Sequence, residues 1–136
     1  MPYFQNADQV KAVIGGFFSQ LIVHPTIGKS LRDSKLVLKF IYDEPSLTIT
    51  ADCSQDPIVV TFDDPDKKAE IEMSMKADIA HQFWFGKLNL LTALTRRQMV
   101  AKGPIPKILK LLPAIKPAYA LYPEYLAAGG HKELML

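Results

Sequence analysis

The spacing of apolar residues changes period twice along this chain, and that change constrains its fold more than any other feature. Between residues 7 and 23, Val10, Val13, Ile14, Phe17, Phe18, Leu21 and Ile22 recur at intervals of three and four, one apolar helical face. Asn6 or Asp8 can cap the start, and His24-Pro25 ends the run. From residue 35 the period is two. "KLVLKFIYD" sets Leu36, Leu38, Phe40 and Tyr42 against Val37, Lys39 and Ile41, and "SLTITADCS" sets Leu47, Ile49, Ala51 and Cys53 against Thr48, Thr50 and Asp52. "PIVVTFD" and "AEIEMSMK" continue the alternation. The connectors "DEPS", "SQDP" and "DDPDKK" carry turn residues, so the expected arrangement is an antiparallel meander of four strands with one dry face.

After Lys76 the helical period returns. "DIAHQFWFGK" predicts a short helix with Asp78 near its start and Gly86 at its end, and "NLLTALT" a second capped by Asn89. "RQMVAKG" predicts a fifth strand. Within the first helix, Gly15 and Gly16 each cost roughly 1 kcal/mol relative to alanine. They mark either a close approach or glycines tolerated against a sheet.

A chain of 136 residues is the size of one domain, 1–136, and 49% hydrophobic with 22% charged residues excludes a disordered one. Cys53 is the only cysteine, so no internal disulfide forms and a reducing, cytoplasmic interior is expected. The start "MPYFQNADQV" lacks the basic and apolar regions of a secretory signal. Lys107, Lys110 and Lys116 interrupt the most apolar stretch, 104–123, before it could span a bilayer.

Catalytic signatures are missing. There is no GxSxG, HExxH, GxxxxGK[ST] or GxGxxG, and no cofactor or metal site is expected. His81, one turn after Asp78, is read as an exposed helical histidine and not a ligand; Cys53 is read as an inert core thiol and "DDPD" as a solvated turn.

Charge separates along the chain. Residues 41–78 hold ten acids and three lysines, whereas 79–123 hold seven basic residues and no acid. The basic half is interleaved with Leu, Ile and Pro and has neither an RNA-binding aromatic signature nor a recognition helix, so a lipid surface fits it better than nucleic acid. A solvated face without a partner satisfies the same pattern.

Residues 104–123, "PIPKILKLLPAIKPAYALYP", hold five of the ten prolines. Ile105, Ile108, Leu109 and Leu112 predict a short amphipathic helix with Pro104 in its first turn; Pro113 and Pro117 then predict kinks or separate short helices through Tyr119 and Tyr122. Such segmentation suits a cover over an apolar cavity.

The order of a long helix, strands, "FWFGKLNLLTAL", the strand "RQMVAKG" and a hydrophobic C-terminal helical segment resembles the sterol carrier protein type-2 family. The most specific parts are "GKL" at 86–88 and "MVAKG" ending at Gly103. The resemblance implies an α/β fold of the α+β type, a five-stranded, mainly antiparallel sheet covered by helices, with an apolar tunnel for a fatty acyl chain, sterol or similar lipid. The last residues are Leu134, Met135 and Leu136 where peroxisomal members carry a tripeptide like Ser-Lys-Leu, so peroxisomal import is not implied.

Two arrangements satisfy the apolar side chains: a filled core, or a cavity wall, which the resemblance favours. In the second, Met73, Met75, Met99, Phe83, Trp84 and Leu91 line the space, Phe17 and Phe18 close one end, and Ile108, Leu112, Ile115 and Tyr119 cover it. Lys107, Lys110 and Lys116 would then face an anionic membrane. The expected function is non-catalytic binding and transfer of a lipid in a preformed pocket of about 300 to 1,000 Å³. The alternatives are an accessory protein presenting a hydrophobic intermediate such as a quinone precursor, or an enzyme on a hydrophobic substrate using acids or His81. Nothing in the sequence sets the oligomeric state.

Overall fold

A computed structural model describes residues 2–136. The first apolar run folds as one continuous rod in three parts: α1 (Ala7–Val10), a π-helical turn (Lys11–Gly15) and α2 (Gly16–Leu21). Asn6 is the cap, its side-chain oxygen accepting from the Gln9 N–H at 2.9 Å. Val10, Val13, Ile14 and Phe17 are fully buried. The π turn has a cause across the molecule: the Tyr125 hydroxyl lies 2.8 Å from the Val13 carbonyl and 3.1 Å from that of Ala12. Both readings of the glycine pair meet here. A Cβ on Gly15 would sit 2.7 Å from the Phe62 ring of the sheet, and one on Gly16 would collide with the Tyr125 hydroxyl.

A further helix, α3 (Ile27–Ser34), follows in a stretch without a periodic apolar signal. Ile27, Gly28 and Leu31 are its buried residues, and Lys35 ends it in a left-handed conformation.

The strands are β1 (Val37–Asp43), β2 (Leu47–Asp52), β3 (Val59–Phe62), β4 (Ile71–Lys76) and β5 (Met99–Lys102). Their order is β3-β2-β1-β4-β5, so the expected meander is corrected. β1–β2, β2–β3 and β4–β5 are antiparallel, but β4 lies beside β1 and parallel to it, with Leu38 opposite Ile71 and Tyr42 opposite Met75. The stretch 63–70 is a crossover and not a hairpin turn. Its backbone is tied to the sheet by Lys39 Nζ, which donates to the Lys67 carbonyl at 2.7 Å, and by the Glu70 N–H, which donates to the Val37 carbonyl at 3.0 Å. Lys67 in turn pairs with Asp52 at 2.6 Å. Thr50 and Asp52, on the face expected to be wet, are buried. Burial pushes the Asp52 carboxyl up, but Lys67 and Ser54 outweigh it and leave it below the usual value.

Helices cover the other face. α4 (Ala77–Trp84) ends at Gly86, whose φ is +73°, and α5 (Leu90–Thr95) is capped by Asn89, which accepts from the Thr92 N–H at 3.0 Å. α6 (Ile105–Ile115) is longer than expected because Pro113 lies inside it. Proline removes the bond to the carbonyl four residues back, here that of Leu109. Leu109 and Pro113 are both exposed, so the loss falls on the outer face of α6. Pro104 stands before that helix as its cap and Pro106 occupies its first turn; Pro117 caps α7 (Ala118–Ala128). A 3₁₀ turn (Lys132–Leu134) closes the chain with Leu134 buried. The buried residues of sheet and helices form one connected core.

Candidate functional site

The helices do not pack completely onto the sheet. Between them lies a cavity of about 90 Å³. Register builds its floor: Tyr42 stands opposite Met75 and Met75 opposite Met99, one row of large side chains across β1, β4 and β5, and Phe40 opposite Met73 adds a second across β1 and β4 on the same face. Phe18 and Leu21 of α2, Phe83 and Trp84 of α4 and Leu90 of α5 form the sides. Ile108, Leu111, Leu112 and Ile115 of α6 form the roof. The exposed Lys107 and Lys110 of the same helix leave its inner face to carbon.

Among the described residues of the wall, the Tyr42 hydroxyl and the Trp84 indole N–H are the side-chain groups able to donate a hydrogen bond. Burial pushes the Tyr42 phenol up, and the Trp84 N–H beside it opposes that in part, so the phenol stays protonated. A wall of this composition offers apolar contact and little else. The cavity is smaller than the expected preformed pocket, so a long occupant requires its wall to yield.

Of the residues expected at such a site, Phe18, Met73, Met75, Phe83, Trp84, Met99, Ile108, Leu112 and Ile115 line the cavity. Three do not. Phe17 is fully buried beneath it, with ring centroids 5.5 Å from Trp84, 4.8 Å from Tyr122 and 5.3 Å from Tyr125. Leu91 is 59% exposed, and its neighbour Leu90 takes the wall position. Tyr119 packs edge-on against Phe83 at 5.7 Å and over Gly86, outside the wall. Tyr42, Leu31 and Leu111, not among the expected residues, also line the cavity. The strand alternation carried the signal for Tyr42, which shares a face with Leu38 and Phe40.

His81 is corrected. It is neither exposed nor near a metal-ligating set: it is fully buried, with Nδ1 2.8 Å from the Tyr122 hydroxyl and Nε2 2.7 Å from the Leu134 carbonyl. Burial holds its pKa below the usual 6.5, opposed by the Leu134 bond and the charge of Asp78. Cys53 is buried, and its thiol is pushed up to about 11 by burial and by Asp52. Among the described residues no three His, Cys, Asp or Glu side chains gather as a metal site would require. No helix among them is long and apolar enough to cross a membrane.

Lys107, Lys110 and Lys116 are exposed. Lys107 lies 3.9 Å from Glu70. Among the described residues, neither Lys110 nor Lys116 has an acid within ion-pair distance.

A mixed five-stranded sheet whose helices enclose an apolar cavity defines the class as an α+β cavity fold. Among solved structures, the sterol carrier protein domain 2 of Helicoverpa armigera is similar to this chain with a TM-score of 0.67 and 14% identity, over 85% of this chain and 94% of that one. UbiJ-SCP2, a ubiquinone synthesis protein, gives 0.60 at 17% identity over 87% and 95%. Sterol carrier protein-2 from Aedes aegypti, solved in complex with palmitate, gives 0.52 at 22% identity over 81% and 94%. The chain therefore has the sterol carrier protein type-2 fold. No protein-family model and no curated protein matches its sequence.

Proposed function

We propose that the protein binds a long-chain fatty acid or a similar lipid in the cavity beneath α6 and carries it without chemical change. The observation that supports this is the wall itself, built from strands and helices and almost wholly of carbon and sulfur. Each buried methylene contributes about 0.8 kcal/mol, so ten contribute about 8 kcal/mol before the cost of displacing the wall. Methionines at 73, 75 and 99 let the wall adapt as it fills. The palmitate complex of the similar Aedes aegypti protein supports the same class of ligand. The site of action is the cytoplasm, where a lone thiol such as Cys53 stays reduced.

Delivery takes place at an anionic membrane. α6 carries the roof on one face and Lys107 and Lys110 on the other, with Lys116 just after it, so a surface that attracts the lysines also pulls on the cover.

A displacement titration with a fluorescent fatty acid tests the binding. Saturable displacement at micromolar concentrations or below is expected; no saturable binding across a broad lipid panel would overturn the reading. A second reading is presentation of a hydrophobic intermediate to biosynthetic enzymes, favoured by the similarity to UbiJ-SCP2. Native mass spectrometry separates the two: co-purification in a stable enzyme complex with a quinone precursor bound favours the second.

A further inference from the structure

A second depression lies on the surface beside the cavity, lined by Leu94, Arg97, Met99, Val100, Ala101 and Ile105. The same three elements wall both spaces. α5 gives Leu90 to the cavity and Leu94 to the groove; α6 gives Ile108 to the cavity and Ile105 to the groove; β5 gives Met99 to both. Met99, a residue 1% exposed, thus stands between an apolar interior and a groove open to water. An unbranched thioether chain has the rotamers to swing aside.

The groove contains one charged side chain, Arg97. Its backbone is left-handed, with φ at +57°, a conformation a bulky residue rarely adopts. That bend sits between the end of α5 and the first residue of β5, and the exposed Arg97 lines the groove there. The Arg97 and Gln98 N–H groups close the end of α5, donating to the carbonyls of Leu94 and Ala93 at 3.3 and 2.9 Å. Among the described residues no carboxylate is paired with Arg97, and the sequence has no acid between Asp78 and Glu124.

We infer that this groove seats the anionic head of a single-chain lipid, with Arg97 as its counter-ion and Met99 as the gate through which the tail enters the cavity. The inference rests on the lipid-binding reading above and adds the class of head group. A guanidinium meets a carboxylate with two parallel N–H donors, which an alcohol head cannot match.

The test titrates the full chain, Arg97→Gln and the neighbouring control Arg96→Gln with palmitate and with hexadecanol at low salt. Palmitate binding by Arg97→Gln is expected to weaken about fivefold, with the difference shrinking as salt rises, while hexadecanol binding stays within about twofold. Arg96→Gln should match the wild type for both. Palmitate labelled with ¹³C at the carboxyl gives a second readout: its bound pKa should be higher in Arg97→Gln, because the cation that favours the carboxylate is gone. Unchanged palmitate affinity and carboxyl pKa would overturn the anchor and leave the cavity reading intact. Equal weakening of both ligands would also overturn it, assigning Arg97 to the architecture of the wall. If the wild type binds neither ligand, the anchor and the lipid-binding reading fall together.

Discussion

Nδ1 of His81 and the hydroxyl of Tyr122 stand 2.8 Å apart and join α4 to α7 across 41 residues of chain. Nε2 donates to the Leu134 carbonyl, so the neutral ring accepts from Tyr122 with its other nitrogen and both are satisfied. The rings of Tyr3, Phe4, Phe85 and Tyr122 surround it, and the nearby Asp78 carboxylate is held by the Tyr3 N–H at 2.9 Å. A second ring proton would place an unpaired positive charge among these buried rings, and the Tyr122 hydroxyl would have to turn from donor to acceptor.

His81 therefore predicts an acid-sensitive fold. With its folded pKa below 6.5, the unfolded chain binds more protons than the folded one between that lowered pKa and about 6.5, and stability falls as pH falls through this window. Thermal unfolding of the wild type and His81→Gln between pH 7.5 and 5 checks it: the variant should lose less stability on acidification. Parallel pH slopes would assign the loss to other groups.

Gly16→Ala gives a signed test of the π turn. In the wild type the new methyl strikes the Tyr125 hydroxyl and should cost about 1 to 3 kcal/mol. In a Tyr125→Phe background the obstacle is gone, and the same change should become neutral or gain up to about 1 kcal/mol from helix propensity. Denaturant unfolding of the four proteins measures the coupling, and additivity would show that the hydroxyl does not shape the turn.

Lys67→Met should destabilise by about 1 to 2 kcal/mol, because it leaves the buried Asp52 carboxylate without its cation. Since Lys67 keeps the Asp52 pKa down, the loss should shrink below pH 4 as Asp52 becomes neutral. A constant difference from pH 7 to pH 3 would place the effect elsewhere.

Trp84 lines the cavity at 5% exposure, with Phe17 and Phe18 edge-on at 5.5 and 5.6 Å. It is the only tryptophan, so its emission reports this wall alone. A spectral shift that saturates with added fatty acid is expected; an unchanged spectrum at saturation would place the ligand away from α4.

Replacing Lys107, Lys110 and Lys116 with glutamine should slow transfer to anionic vesicles and leave affinity in solution nearly unchanged. At about 1 kcal/mol per lysine near such a surface, association should fall by roughly two orders of magnitude at low salt. Equal wild-type transfer to anionic and neutral vesicles would remove the membrane from the proposal.

The elements with strong periodicity were legible in the sequence, and so were the caps Asn6 and Asn89 and the terminator Gly86. Most of the cavity wall follows from the same alternation, since Met73 and Met75 share a face with Ile71. What failed was decided by distant partners. The short linkers suggested hairpins, yet the crossover at 63–70 is held by Lys39 and Asp52, which local pattern does not reveal. His81 looks exposed until Tyr122 and Leu134 arrive from the end of the chain. In α5, adjacent leucines leave the helical phase ambiguous by one residue, and the wall falls to Leu90. Helix α3 has only Ile27 and Leu31 as large buried side chains, too few to mark a period.

The parallel neighbour of β1 has a consequence for the chain as it is made. β1 pairs on one side with β2, a few residues away, and on the other with β4, which begins at Ile71. Until Lys76 has left the ribosome, β1 is an unsatisfied edge carrying Leu38, Phe40 and Tyr42, the template on which a second nascent chain can add a strand. An arrest that leaves the chain emerged from the ribosome only as far as residues 52 to 70 should therefore find it at its most adhesive, and emergence of the next few residues should end that vulnerability.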